Sequence, residues 1–362
     1  MILVAEYVSP GHPDRLCDAI VNNIVNYVVS KDKDALCGLE CAVHTNKVFV
    51  DGRIAAGKQR KVITEDKIKE IVKQVYSDAG YGDSWKPHPD ELEIMLDVCI
   101  EKLSDDEREL RQYSDDQNVV NGYAVQSPGT DYLPVEHYVA IKLGSMLKKR
   151  LKGYSMFGPD FKVLVQIDNS DESYRWNRLT LSIQHDRDHT FSNLYYYLKG
   201  EIKNCLNRLF EGTIIDSLSA IDENLLLING AGDFIQGGPQ GDNGLSGKKL
   251  CIDFYGPSVP IGGGAIYGKD PHKIDVCGAL KARELAVNLV KKHGFYSVFT
   301  SLAWSPGEKS PYIIEAYEID EFGTKCKIDD SLLPPKDTFS ISCINSDLNL
   351  GDRVITSISD IK

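Results

Sequence analysis

The stretch from Gly230 to Asp275, GAGDFIQGGPQGDNGLSGKKLCIDFYGPSVPIGGGAIYGKDPHKID, limits the folding options of this chain more than any other. Two glycine clusters flank a short apolar run. Glycine permits positive φ and close approach of backbone to a ligand, so both clusters read as tight, ligand-accessible turns. Lys248 and Lys249 follow the first cluster, Lys269 and Lys273 the second, and Asp242, Asp270 and Asp275 lie among them. A lysine supplies a point charge that phosphate oxygens accept. Acidic groups beside several lysines suit a divalent metal or a cationic ligand group. Either cluster alone reads as a solvated turn; four lysines beside the two together read as a polyphosphate cradle.

The cradle is neither of the two common ones. Gly263 to Lys269 fits G-x-x-x-x-G-K, but Asp270 stands where a Walker loop needs a hydroxyl for Mg²⁺. Gly230 and Gly232 are followed by Ile235, which breaks G-x-G-x-x-G. A generic kinase is therefore disfavoured.

The chain has 362 residues, 42% hydrophobic and 26% charged, enough to bury a full core in two or three domains. Its net charge of −12 argues against nucleic acid as a partner, since such proteins present a basic face. No apolar run is long enough to span a bilayer, and MILVAEYVSP lacks the basic start of a secretory signal. Nine scattered cysteines without a C-x-x-C pair read as reduced thiols of a cytoplasmic protein.

Strand and helix patterns alternate, which predicts an α/β or α+β fold. Leu16, Ile20, Ile24 and Val28 predict a helix over 14–29, with Pro13 in its first turn. Residues 39–50 read as a hairpin and 65–79 as a helix. The charged segment 101–116 reads as a lid or linker. Further helices are expected over 134–151, near 190–209, and over 274–292 with Gly294 as cap. Strands are expected at 163–167, 179–183, 225–229, 250–254, 296–303 and 311–317. Coarse cuts fall near residues 105 and 231, giving segments 1–105, 106–230 and 231–362, whose compact units in space need not be continuous.

A second motif opens the first helix: Gly11-His12-Pro13-Asp14. A helix N-terminus suits a phosphate; His12 could donate to it and Asp14 could hold a bridging metal. In isolation these are ordinary helix-start residues. Asp160 and Lys162 before a strand, Asp116 with Gln117, and Glu40 within a strand are each weak signals.

Together the motifs are specific. G-H-P-D at 11–14, D-Q at 116–117 with G-Y-A at 122–124, G-G-P-Q-G-D at 237–242 with G-K-K at 247–249, and G-G-G-A at 262–265 with G-K-D and K-I-D at 268–275 resemble the S-adenosylmethionine synthetase family. Order and spacing agree over nearly the whole chain. The resemblance implies an α+β fold of three similar units about a pseudo-threefold axis. It implies a homodimer or homotetramer with active sites between subunits. ATP and L-methionine would be the substrates: methionine sulfur attacks C5′ of ATP, and the departing triphosphate is cleaved to pyrophosphate and phosphate, with Mg²⁺ and K⁺ as cofactors.

The resemblance also implies roles. His12, Lys162, Lys248, Lys249 and Lys269 would hold the triphosphate, with His12, Lys162 and Lys269 catalytic. Asp14 and Asp275 would bind Mg²⁺, and Glu40 K⁺. Phe234 would stack on adenine, and Asp160 and Ala265 would line the nucleoside site. Asp116, Asp242 and Lys273 would contact the amino acid, Asp242 also serving the ATP site. Alternatives are a same-fold adenosyltransferase with another thioether or thiol acceptor, and a non-catalytic subunit partner; the retained leaving-group residues speak against the latter.

Four positions depart from the family pattern. Arg53 follows Gly52 where the family has a methionine-binding glutamate. Leu103 falls where its lid carries glutamine, Asp233 stands before Phe234 in place of arginine, and Arg15 replaces lysine. Arg53 either turns a positive charge into the amino-acid pocket or belongs to a repositioned hairpin. After about Tyr317 the match fades.

Overall fold

The computed structural model describes residues 1–170, 173–189 and 191–350. Its α-helices are α1 (Pro13–Lys31), α2 (Glu65–Ala79), α3 (Asp105–Leu110), α4 (Val135–Leu151), α5 (Phe191–Phe210), α6 (Leu250–Asp253), α7 (Ile274–His293) and α8 (Ile341–Asp347). The first six strands are β1 (Ile2–Val8), β2 (Leu36–His44), β3 (Lys47–Ala56), β4 (Glu93–Lys102), β5 (Asn118–Val125) and β6 (Phe157–Asp168). The others are β7 (Arg175–His185), β8 (Leu226–Ile228), β9 (Gly244–Leu245), β10 (Ser297–Trp304), β11 (Ile313–Ile319) and β12 (Lys325–Lys327).

These strands form three four-stranded sheets, ordered β4-β3-β2-β9, β1-β6-β7-β8 and β12-β11-β10-β5. The first two are mixed, with β3 parallel to β4 and β7 parallel to β8; the third is antiparallel throughout. Each sheet has its own apolar core and helix pair: α1 and α2, α4 and α5, α7 and α8. Leu16, Ile20, Ile24 and Val28 of α1 are fully buried in the first of these, as their spacing predicts. The architecture is α+β.

Strands are exchanged between the three units in a cycle. β1, from the first sequence segment, pairs with β6 from Ile2↔Asp168 to Val8↔Lys162. β5, from the second, pairs with β10 from Asn118↔Trp304 to Val125↔Ser297. β9, from the third, pairs with β2 at Ala42↔Leu245 and Val43↔Gly244. This exchange positions the site. It lays the loop after β1 against β6, and the lysines after β9 against α1.

Several expectations need correction. Residues 250–254 are not a strand but the single turn α6, with Phe254 as its C-cap. The 225–229 strand shrinks to β8, while β6 and β7 run well beyond the expected cores. Segment 101–116 is not a free lid. It holds α3, closed by a capping box between Ser104 and Glu107. It is tied down by Arg108 to Asp34 and by Arg111 to the fully buried Asp270. β1, β4, β5, β12 and α8 were not expected as elements. Position 190, near which the helix of 190–209 was expected to begin, lies outside the described residues, as does the chain beyond 350. All nine cysteines are free thiols; Cys17, Cys37, Cys41, Cys205 and Cys277 are buried. Among the described residues no helix is long and apolar enough to cross a membrane.

Candidate active site

One group of expected residues gathers at the N-terminus of α1. His12 is the N-cap, its Nδ1 accepting from the Asp14 N–H at 3.1 Å, and Pro13 opens the helix. The carboxylate of Asp14 is 1% exposed and gathers cations: Lys249 Nζ lies 2.9 Å from Oδ2 and Lys248 Nζ 3.6 Å from Oδ1. The Leu245 N–H also donates to Oδ1, at 3.0 Å. Burial pushes the Asp14 carboxyl up, but Lys249 and the Leu245 N–H outweigh it and hold it below the usual range. β6 contributes Asp160 and Lys162. The Gly238 N–H donates to Asp160 Oδ2 at 2.8 Å, which fastens the first glycine cluster to that strand. Phe234 is half-buried at the edge of this group, its N–H donating to His185 Nε2 at 3.1 Å.

The electrostatics set the protonation states. Burial, then the charge of Lys162, lowers the His12 pKa to about 4, so His12 is neutral at pH 7. Nδ1 is an acceptor, so the ring proton sits on Nε2 and is the hydrogen bond this residue can offer. Burial raises Asp160 from 3.8 to about 6, and its Oδ1 has no partner. A carboxyl with a raised folded pKa adds stability below its unfolded value, and that stability is lost as pH rises through about 6. Asp160→Asn is therefore expected to stabilise the protein, by about 1 kcal/mol more at pH 8 than at pH 5. Urea denaturation at the two pH values checks this; a gain independent of pH contradicts it.

A second group forms a cleft of ≈ 540 Å³ lined by Asp116, Gln117, Asn118, Gly263, Gly264, Lys269, Asp275, Trp304 and Tyr312 among others. Lys269 Nζ lies 2.9 Å from Asp275 Oδ1. Gly264 is required here, because a Cβ on it would sit 1.4 Å from that same oxygen. Lys273 is the N-cap of α7 and pairs with Asp115.

The two groups hang on one strand. The chain before Lys248 pairs with β2 at Ala42 and Val43, while Lys269 bridges to Gly38. At about 3.3 Å per residue these two anchor points lie roughly 13 to 17 Å apart along β2. Ala265 abuts Gly247 between them, and Glu40, exposed on β2, accepts from Ser246 Oγ at 2.5 Å. Among the described residues no ion pair joins His12, Asp14 or Lys249 to Lys269 or Asp275. Asp116 lines the second cleft, while Asp242 belongs to the first glycine cluster, its N–H donating to the Gly238 carbonyl at 3.0 Å.

Known proteins settle what this arrangement belongs to. The N-terminal domain profile of S-adenosylmethionine synthetase matches residues 1–104, and the C-terminal domain profile matches 236–360. The S-adenosylmethionine synthase of Mesoplasma florum is 32% identical over 338 residues, 90% of this chain and 83% of its own. The chain belongs to the S-adenosylmethionine synthase family. The S-adenosylmethionine synthase of a Nitratiruptor species is 29% identical over 369 residues, 99% of this chain and 89% of its own. The fold is shared with an unusual S-adenosylmethionine synthetase from Campylobacter jejuni, with a TM-score of 0.82 at 24% identity over 100% of this chain and 93% of that one.

For an S-adenosylmethionine synthase chain, the departures acquire physical meaning. Arg53 is not a free cation. Its Nε donates to Glu101 at 2.9 Å and its second guanidinium nitrogen to Glu107 at 2.6 Å. One positive and two negative charges leave the local balance at −1, the charge a single glutamate would bring. Leu103 is buried at 2% exposure and is a core residue rather than a lid contact. Asp233 is exposed, 3.7 Å from His185 Nε2.

Sequence reasoning missed Trp304 and Tyr312, which line the second cleft, and the buried His185 behind Phe234. It also missed Asp18 and Asp253, the partners of Arg15. Only Asp18 carried a signal, standing one helical turn after Asp14. A divalent metal fits both groups, since each offers one hard carboxylate, Asp14 or Asp275, beside lysines. Among the described residues no cluster of three or more metal-ligating side chains exists. That donor set suits Mg²⁺, which binds through one or two carboxylates together with substrate phosphates.

Proposed function

We propose that this chain makes S-adenosylmethionine from ATP and methionine at a site assembled by two copies. One copy gives the His12–Lys249 group and the other the Lys269–Asp275 group. The observation that carries this reading is that Lys249 with Asp14 and Lys269 with Asp275 form two cation-and-carboxylate groups with no ion pair between them among the described residues, and each would supply half of a triphosphate site. The assembly is then a homodimer, or a tetramer of two such dimers. The three sheet-and-helix units are disposed about a pseudo-threefold axis, their sequence frames being 1–105, 106–230 and 231–362. The buried free thiols suit a reducing cytoplasm.

A thioether is neutral and carries no proton, so its attack on C5′ needs no general base. The barrier lies in alignment and in the charge that builds on the leaving triphosphate, where fixed donors and cations act. His12 offers its Nε2–H, the N-terminus of α1 its dipole, and Lys162, Lys248, Lys249 and Lys269 their charges. Asp160, Phe234 and Ala265 hold the nucleoside, and Asp242 serves both substrates. Asp116 and Lys273 of one copy and Asp242 of the other meet the amino acid. When bound, Mg²⁺ at Asp14 and Asp275 adds charge neutralisation at the phosphates, and K⁺ at Glu40 completes the cofactor set.

The test is incubation with ATP, Mg²⁺, K⁺ and methionine, with mass spectrometry for S-adenosylmethionine and for pyrophosphate plus phosphate. Product is expected with methionine, and far less with its analogue lacking the amino group, whose ammonium Asp116 and Asp242 would take. Equal turnover of the two would contradict the assignment of those aspartates.

A further inference from the structure

Segment 245–253 carries Lys248 and Lys249, and it is laced to one face of α1 at three points. The Leu245 N–H donates to Asp14 Oδ1 at 3.0 Å. The Gly247 N–H donates to Asp18 Oδ1 at 2.8 Å. Arg15 donates to Asp18 Oδ2 at 3.1 Å and to Asp253 Oδ1 at 2.5 Å. Asp14 and Asp18 are one helical turn apart, so their carboxylates point the same way along α1. Gly244 lies on the first turn of the helix, where a Cβ would come within 2.3 Å of Pro13. The lysines are thus held in a turn whose geometry is written by the helix that also carries His12.

We infer that Asp18, braced by Arg15 against Asp253, is a positioning residue that sets the Gly247–Lys249 turn and so aims Lys248 and Lys249 at the phosphates. The inference rests on the triphosphate reading given above. Three features support it. Gly247 has φ of 70°, and a Cβ on it would sit 3.0 Å from that of Ala265, so the turn is a left-handed one that favours glycine. Its N–H lies in a part-buried place and meets an acceptor from α1. Asp18 and Asp253 are both 3% exposed, and two carboxylates share a single guanidinium there. Buried ion groups of this kind add little to stability compared with well-packed apolar residues. A purely structural role is therefore a weak reason for charged residues here, and fixing a loop of defined geometry is a stronger one. Asp18 and Arg15 act through the lysines and not by touching substrate.

The test compares Asp18→Ala, Asp18→Asn, Arg15→Gln and Lys249→Ala with the parent, all as full chains. Isothermal titration with inorganic tripolyphosphate gives Kd, and steady-state assays give KM for ATP and for methionine. For Asp18→Ala, the tripolyphosphate Kd and the ATP KM are expected to rise about tenfold, with the methionine KM within about twofold. Asp18→Asn keeps an acceptor for the Gly247 N–H and is expected to recover to within about threefold of the parent. Arg15→Gln is expected to show a smaller loss in the same direction, and it carries the test with Asp18→Asn should the alanine variant not fold. Parental tripolyphosphate binding by Asp18→Ala or, in its absence, by Arg15→Gln overturns the inference. So does an equal rise in the ATP and methionine KM values, or an asparagine variant as impaired as the alanine one. If Lys249→Ala loses tripolyphosphate while Asp18→Ala does not, the positioning role alone fails. If the parent itself does not bind tripolyphosphate, the phosphate site fails and the positioning role with it.

Discussion

Lys269→Ala is expected to lower S-adenosylmethionine formation by two to three orders of magnitude while leaving the fold intact. Removing one preorganised group that stabilises developing charge costs about 3 kcal/mol in comparable sites, which is a factor of 10² to 10³. The stability cost is small because the partner left behind, Asp275, keeps 13% side-chain exposure and faces an open cleft. Turnover and thermal melting separate the two effects. A kcat within threefold of the parent would remove Lys269 from the leaving-group site.

Lys249→Ala is expected to show a loss of turnover of similar size, but with a clear loss of stability. Its partner Asp14 is 1% exposed and Lys249 is its nearest cation, at 2.9 Å. Taking away one partner of a buried pair leaves an uncompensated charge, at about 3 kcal/mol. The Leu245 N–H and Lys248 remain on Asp14, so a cost of about 2 kcal/mol and a melting point lower by several degrees are expected. A further change, Asp14→Asn, removes that buried charge and is expected to restore the melting point without restoring turnover. Two variants of one residue type thus diverge because one lysine neutralises a buried carboxylate and the other an accessible one. Equal melting points for Lys249→Ala and Lys269→Ala would contradict this reading.

The glycine-and-lysine turns were legible because chemistry and backbone requirement coincide in the same residues. Gly238, Gly247 and Gly268 all take positive φ, and Lys248, Lys249 and Lys269 lie within two residues of the last two of these glycines. Long helices were legible for a similar reason. α1, α2 and α7 carry both periodic apolar faces and end signals, such as Gly294 at φ 72°. What failed was short or non-local. Leu250 to Phe254 is an apolar run that periodicity cannot assign, and it became a turn of helix because its backbone closes on Lys249 and Leu250. β1 and β5 become strands only through partners more than 150 residues away, which local sequence does not announce. The separate anchoring of Lys249 and Lys269 is of the same kind. Nineteen residues lie between them, and only the pairing of β9 and of Lys269 at different points of β2 gives the two loops separate anchors. Arg53 is the reverse case. The sequence shows its charge, while the neutralising Glu101 and Glu107 emerge only when β3 pairs with β4 and α3 folds back.

The claim on which the rest depends is that each active site draws one half from each of two chains. Co-expression of the Lys249→Ala and Lys269→Ala chains tests it. Each variant alone is expected to retain under about 1% of parental activity. In a mixed dimer one site collects both lesions and the other collects none, so random pairing should return about a quarter of parental turnover. Activity that stays at the average of the two variants would place both lysines in the same site of one chain and contradict the shared site.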